Sequence, residues 1–258
     1  MSYDTITLDI AENIATVRMN RPDKYNALSS QMRAELADAI RRGGKEARVV
    51  VLTGNGKAFC SGQDLSDGGN LANPDLERTL RDEYQPLVRA IVDAPVPVIA
   101  AVNGAAAGAG ANIALACDVV IAAESAYFMQ AFSKIGLIPD AGGTYWLPRS
   151  IGGPKAMGAA LFGEKISARD ADAWGMIWEA VPDAEFEAHW QARAAYLANG
   201  PTVAFSRIKT AIRENWGNDL QAQLDHEGKA QGVCGGSRDF KEGVLAFLEK
   251  RNPRYEGR

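Results

Sequence analysis

The sequence predicts an α/β fold with a helical C-terminal region, and three observations carry that prediction. Two short apolar segments, Arg48 to Thr53 and Val98 to Val102, read as strands of the buried kind. A glycine-rich turn follows each of them, so a strand–turn–helix theme recurs up to about Ile151. Beyond that point the spacing becomes helical throughout.

Taken in order, Tyr3 to Asp9 and Ile14 to Met19 alternate apolar and polar around Glu12-Asn13, the pattern of a β-hairpin. Asn20-Arg21-Pro22 ends it, and Asp23 to Leu28 is a loop. Ser29 or Ser30 can cap a helix with apolar positions Met32, Leu36, Ala39 and Ile40, which Gly43-Gly44 is expected to stop. After the strand at 48–53, Gly54 to Leu65 is turn-rich, and Ser66 to Pro74 is a polar insertion expected to be mobile. Leu80, Tyr84, Leu87, Val88 and Ile91 give helical spacing to Leu76–Val92. Tyr145 to Ile151 should begin a helix. Pro154–Phe162, Ala168–Trp174, Ala184–Asn199, Pro201–Asn215, Leu220–Gln231 and Arg238–Lys250 favour helix, with Pro201 at a first helical position and Ser237 as an N-cap. Apolar stripes on these last helices suit packing between subunits or over a groove of the same chain.

The centre of the chain is VIAAVNGAAAGAGANIALACDVVIAAESA, Val98 to Ala126. An apolar strand leads into a Gly/Ala run with almost no side chain, then a small helical stretch from Asn112 to Cys117 and a second apolar strand from Asp118 to Ala123. Such a turn lets another backbone or a ligand come close. It also aims unpaired N–H groups and a helix dipole at one point, which suits an anion or an oxygen gaining charge. Tight helix packing is the alternative. Gly104, Gly108 and Gly110 do not complete a dinucleotide fingerprint, and no P-loop lysine follows.

Of the 258 residues, 47% are hydrophobic, enough for a sizeable core in one large domain or one domain with an appendage. A net charge of −4 gives no general basic footprint for nucleic acid. The three cysteines, Cys60, Cys117 and Cys234, are odd in number and widely spaced, as in a reduced cytoplasmic protein. No signal peptide and no apolar run long enough to span a bilayer are expected.

Chemistry has few candidates. His189 and His226 lie on tail helices without partners in pattern, and no Cys/His cluster has metal spacing. Cys60 reads as a small buried residue. Carboxylates remain for proton transfer. Asp118 sits at a structural or capping position and Glu124 on a turn surface. Asp64 and Asp140 each lie in a Gly-bounded turn after an apolar segment. Asp140 has Ile135, Leu137, Ile138, Pro139 and Ala141 around it; in a pocket wall, desolvation would raise its pKa toward neutrality. A turn-forming aspartate is the plain alternative.

Four motifs taken together, NRPDKYNAL (20–28), FCSGQDL (59–65), NGAAAGAGAN (103–112) and GLIPDAGGT (136–144), resemble the crotonase (enoyl-CoA hydratase/isomerase) superfamily in order and over essentially the whole chain. AFSKIGLIPDAGGT, WGMIWE and GVLAFLEKRNPRYEG are similar to the ring-epoxide isomerases of phenylacetate degradation. The resemblance implies a spiral of ββα units over residues 1–195, a helical trimerisation region over 196–258, and a trimer or pair of trimers. It implies an acyl-CoA substrate, with coenzyme A belonging to the substrate and no cofactor or metal required. By position, the backbone N–H groups of Gln63 and Ala109 would polarise the thioester oxygen, and Asp140 would be the catalytic carboxylate of an isomerase. Asn112 and Phe132 stand where hydratases carry two glutamates, which disfavours water addition. Lys24, Tyr25, Ala27, Asp64 and Leu65, with Asn112 and Phe132, would frame the acyl-CoA, and Lys24, Lys250 and Arg251 are candidates for its phosphates.

Overall fold

Alternation along the buried strands sets the layers. In the computed structural model, which describes residues 3–66 and 75–258, β1 (Ile6–Ala11) and β2 (Ile14–Met19) form the expected antiparallel hairpin. Its turn residues Glu12 and Asn13 hold φ of 51° and 63°. β3 (Val49–Gly54), β5 (Val98–Val102), β7 (Val119–Ala123) and β10 (Glu179–Val181) add to β2 in parallel, giving a six-stranded sheet ordered β1-β2-β3-β5-β7-β10. A second sheet of four short strands has the order β4-β6-β8-β9, built from β4 (Ala58–Cys60), β6 (Ala105–Ala107), β8 (Tyr127–Met129) and β9 (Lys165–Ser167). The pairs β3/β4, β5/β6 and β7/β8 each send their first strand to the large sheet and their second to the small one. That is the ββα spiral the motifs imply.

Strand residues alternate between two cores, as a period of two requires. Val50, Leu52, Val98 and Ala100 face the main core with α1 (Ser30–Glu46) and α3 (Gln85–Val92). Val49, Val51, Ile99 and Ala101 face outward, where α7 (Asp183–Ala198) covers them with Phe186, Trp190, Ala194 and Ala198. α7 runs unbroken across 195 and 196, and the chain turns away only after Ala198.

Ser29 caps α1 by accepting from the Met32 N–H at 3.2 Å. Gly43-Gly44 does not stop this helix, which continues to Glu46. The pair serves close packing: a Cβ on Gly43 would lie 2.7 Å from the Ala15 Cβ, and one on Gly44 3.1 Å from the Pro95 Cδ. The region 76–92 is helical as expected but broken into α2 (Leu76–Thr79), a π-helical turn (Leu80–Tyr84) and α3. Of the expected mobile insertion 66–74, all but Ser66 lies outside the described residues.

Further expectations change. The Gly/Ala run contains β6 before α4 (Ala109–Ala116), because pairing with β4 and β8 overrides the helical preference of alanine. The region after Ile151 is also not wholly helical. α5 (Gly143–Phe162), kinked at Gly152, and α6 (Ala168–Ala173) are interleaved with β9 and β10. Then come α8 (Thr202–Glu214), α9 (Leu220–Gly235) and α10 (Arg238–Leu248), with Ser237 as the N-cap of α10 and Pro201 at the N-cap, not the first turn, of α8. α8 is tied to the body by a buried ion cluster. Asp118 accepts from the Val98 N–H at 2.8 Å, Lys209 at 2.9 Å and Arg213 at 2.7 Å. Among the described residues no helix is long and apolar enough to cross a membrane.

Candidate active site

Two adjacent peptides open onto a cavity of about 750 Å³. The Gly62 carbonyl accepts from the Leu28 N–H at 2.8 Å, and the Asp64 N–H donates to the Leu28 carbonyl at 3.2 Å. A trans peptide directs its N–H opposite its C=O, so the Gln63 N–H points away from Leu28. The Gly108 carbonyl accepts the Asn112 N–H at 3.3 Å within α4, which turns the Ala109 N–H outward from the helix start. Neither N–H has a protein acceptor among the described residues, and Gln63 and Ala109 both line the cavity. The two backbones touch: a Cβ on Gly62 would lie 3.6 Å from the Ala109 nitrogen and 2.9 Å from the Ala107 oxygen. Glycine at 62, with φ 95°, makes that approach available. Behind it, a Cβ on Gly110 would meet the Cys60 carbonyl oxygen at 2.4 Å, so α4 is pressed against β4.

Asp140 lines the same cavity. Its Oδ1 is buried without a hydrogen-bond partner. Burial pushes its pKa up from 3.8 to about 6, against the opposing pull of its own backbone N–H and of Arg33. The turn that presents it holds Ala141 in the left-handed region at φ 47°, a strained place for a residue with a Cβ, followed by Gly142 at φ 86°, which glycine adopts freely, just ahead of α5. The Asp140 carbonyl is held from two sides, by the Gly143 N–H at 2.8 Å and the Asn112 Nδ2 at 2.8 Å. Asp140 is the one carboxylate among the described lining residues. Around it the wall is apolar, with Leu80, Val88, Phe132, Ile135 and Leu137.

The other expected site residues divide. Phe132 is buried on the cavity wall and Leu65 is exposed at it, as a framing role needs. Asn112 does not line the cavity: it is fully buried, donates to the Asp140 carbonyl and accepts from the Gln130 Nε2 at 2.8 Å. Asp64 does not line the cavity either. Its carboxylate is consumed by the Ser66 hydroxyl and N–H and by Arg21 at 2.8 Å, which hold its pKa down to about 2 and fold the loop. Ala27 is buried beneath that loop, its carbonyl accepting from Arg21 at 2.6 Å. Lys24 and Tyr25 are exposed and do not line the cavity, but the Ser61 N–H donates to the Tyr25 carbonyl, so they sit at its rim. Arg251 is engaged by Glu242 and Glu249.

Cys60 is fully buried, with its thiol pushed up to about 12 by desolvation, which removes it as a nucleophile. His189 and His226 pair with Glu179 and Glu214, away from the cavity. No group of three or more His, Cys, Asp or Glu able to hold a metal occurs among the described residues. Sequence reasoning missed Arg33 and the site position of Tyr84. Both carried a signal: Arg33 falls on the apolar stripe of α1, and Tyr84 on that of 76–92.

The Enoyl-CoA hydratase/isomerase family pattern matches residues 9–258. The chain belongs to that family. It is 59% identical over its full length to a Rhodobacter capsulatus protein, itself fully covered, named "Probable enoyl-CoA hydratase". It is 45% identical to the 1,2-epoxyphenylacetyl-CoA isomerase of Escherichia coli, over 96% of this chain and 97% of that one. Among solved structures, the enoyl-CoA hydratase of Bacillus anthracis superposes with a TM-score of 0.93 at 34% identity, over 99% of this crotonase-fold chain and 100% of the other.

Proposed function

We propose that this family member is an acyl-CoA isomerase that works with a single carboxylate. The supporting observation is the cavity itself: one carboxylate, Asp140, with its Oδ1 buried and unpartnered, shares it with two free backbone N–H groups and no second acid among the described lining residues. The thioester oxygen would accept from Gln63 and Ala109. Asp140, ionised above about pH 6, takes the proton from the carbon next to the thioester. The electron pair moves onto the thioester oxygen, where each fixed donor is worth about 3–4 kcal/mol by analogy with other oxyanion sites. Return of the proton at a different carbon moves a double bond from Δ3 to Δ2. In a ring epoxide, the carbon–carbon bond shared by the epoxide and the six-membered ring breaks to give the seven-membered oxepin, and the proton taken beside the thioester returns to a ring carbon, leaving a double bond between ring and side chain. In both cases the proton leaves and comes back, so no water is consumed.

The ring-epoxide substrate is favoured by the 45% likeness to the 1,2-epoxyphenylacetyl-CoA isomerase and by the apolar wall at Phe132. A hydratase reading is favoured by the name of the 59% relative. Against it stands Asn112, whose amide is committed to the Asp140 carbonyl and whose side chain cannot serve as an acid. We further propose that exposed apolar residues of the tail helices, among them Trp216, Leu220, Phe240 and Phe247, are covered in a homotrimer. The chemistry is tested with crotonyl-CoA, 3-enoyl-CoA and a ring-epoxide phenylacetyl-CoA. Isomerase turnover lost in Asp140→Asn, with slow loss of crotonyl absorbance in the parent, is expected. Rapid hydration of crotonyl-CoA, or an unaffected variant, overturns the reading.

A further inference from the structure

Gln63 is held by its side chain as firmly as by its main chain. Its Oε1 accepts from Arg33 Nη1 at 2.9 Å and from the Tyr84 hydroxyl. Arg33 is almost wholly buried, and each of its five N–H donors faces an acceptor. Nη1 also reaches the Leu28 carbonyl at 2.7 Å, Nη2 reaches the Ser30 Oγ at 3.0 Å and Glu83, and Nε reaches Glu83 at 3.1 Å. The Tyr84 ring stacks on the guanidinium, 4.7 Å from its centroid. Leu28 is therefore common to both grips. Its N–H and carbonyl bridge to Gly62 and Asp64, and the same carbonyl accepts from Arg33.

A side chain at 63 lining an apolar cavity would otherwise be free to turn into it, dragging its own peptide. Here a buried arginine and a tyrosine delivered by a π-helical turn fix it to the wall. We propose that Arg33 and Tyr84 are positioning residues that, through the Gln63 side chain, hold the Gln63 N–H in line with the carbonyl oxygen of the bound thioester. The inference rests on the reading of that N–H as a carbonyl donor. Small misalignments of such a donor are costly, because the gain from a fixed dipole depends on its needing no reorganisation during the reaction.

The test uses variants that keep the packing. Tyr84→Phe retains the ring over Arg33, and Gln63→Met removes the acceptor while leaving the N–H. Phenylacetyl-CoA carrying a 13C thioester carbonyl is bound to each protein, and the carbonyl stretch is read by isotope-edited infrared difference spectroscopy. The parent is expected to shift the band to lower frequency. Both variants should lose a substantial part of that shift, and kcat should fall about 10-fold or more while KM changes about 3-fold or less. Asp140→Asn, run alongside, should abolish turnover and keep the shift. An unchanged band and kcat in both Tyr84→Phe and Gln63→Met would reduce the cluster to packing and overturn the proposal. Turnover persisting in Asp140→Asn would instead defeat the single-carboxylate mechanism, with the band still reporting on the clamp.

Discussion

Asp140→Asn should make the protein more stable at the pH where it makes it inactive. Above about pH 7 the parent carries an ionised carboxylate whose Oδ1 is buried without a partner. Folding raises its pKa from 3.8 to about 6, so the folded state binds the proton more tightly than the unfolded chain does. Stability is then greatest below about pH 4 as far as this group is concerned, declines as pH rises through the interval, and reaches its full penalty above about 6. The interval converts to about 3 kcal/mol, and residual solvent contact at the half-buried residue reduces the expected gain to about 1–3 kcal/mol. For a chain of this size that is about 2–6 °C in Tm. Thermal unfolding followed by circular dichroism at pH 8 and pH 4.5 measures it. The variant should melt higher at pH 8, and most of the advantage should disappear at pH 4.5. A variant that melts lower at pH 8, or a difference independent of pH, would mean that the carboxylate is solvated and no base is poised in the cavity.

Three further outcomes are expected. In the parent, kcat/KM for an isomerised acyl-CoA should rise with pH to a plateau, half-maximal near 6; a flat profile between pH 5 and 7 removes Asp140 as the base. Asn112→Leu strands the Gln130 amide and frees the Asp140 carbonyl, at a cost of about 2–4 kcal/mol in urea unfolding and with kcat falling more than KM rises; an unchanged kcat would show that the Asp140 turn holds itself. Asp118→Asn leaves Lys209 and Arg213 without their carboxylate and should cost about 3–5 kcal/mol, while activity per folded molecule is retained; a loss below about 1 kcal/mol contradicts the buried cluster.

The strands at 49–54 and 98–102 were legible because uniform apolar runs bounded by turn residues leave few other readings. The Ser29 and Ser237 caps were legible for a local reason, since a cap bond reaches only three residues along the chain. β6, β9 and β10 were not, because three-residue strands such as Ala105–Ala107 are defined by partners distant in sequence. Gly43-Gly44 misled in the same way: the pair reads as a stop locally, and only the approach of Ala15 and Pro95 explains it. At the site, the apolar segment around Asp140 left a pocket carboxylate and a turn residue both open, the likeness of GLIPDAGGT to the family chose the first, and Asp140 lines the cavity. The fates of Asp64 and Asn112 could not be read, because Arg21, Ser66 and Gln130 reach them only in the folded chain. Arg33 was hidden by its chemistry, since a charge on an apolar stripe ordinarily snorkels to water.

The two free N–H groups at the cavity wall belong to the peptide chain itself, at Gln63 and Ala109. No single side-chain replacement short of proline can delete them. Under the proposed mechanism, affinity for a molecule gripped at its carbonyl is thereby uncoupled from the identity of the base that takes its proton. An inert enolate mimic should thus serve as a handle for purifying or crystallising even the proton-transfer-dead protein.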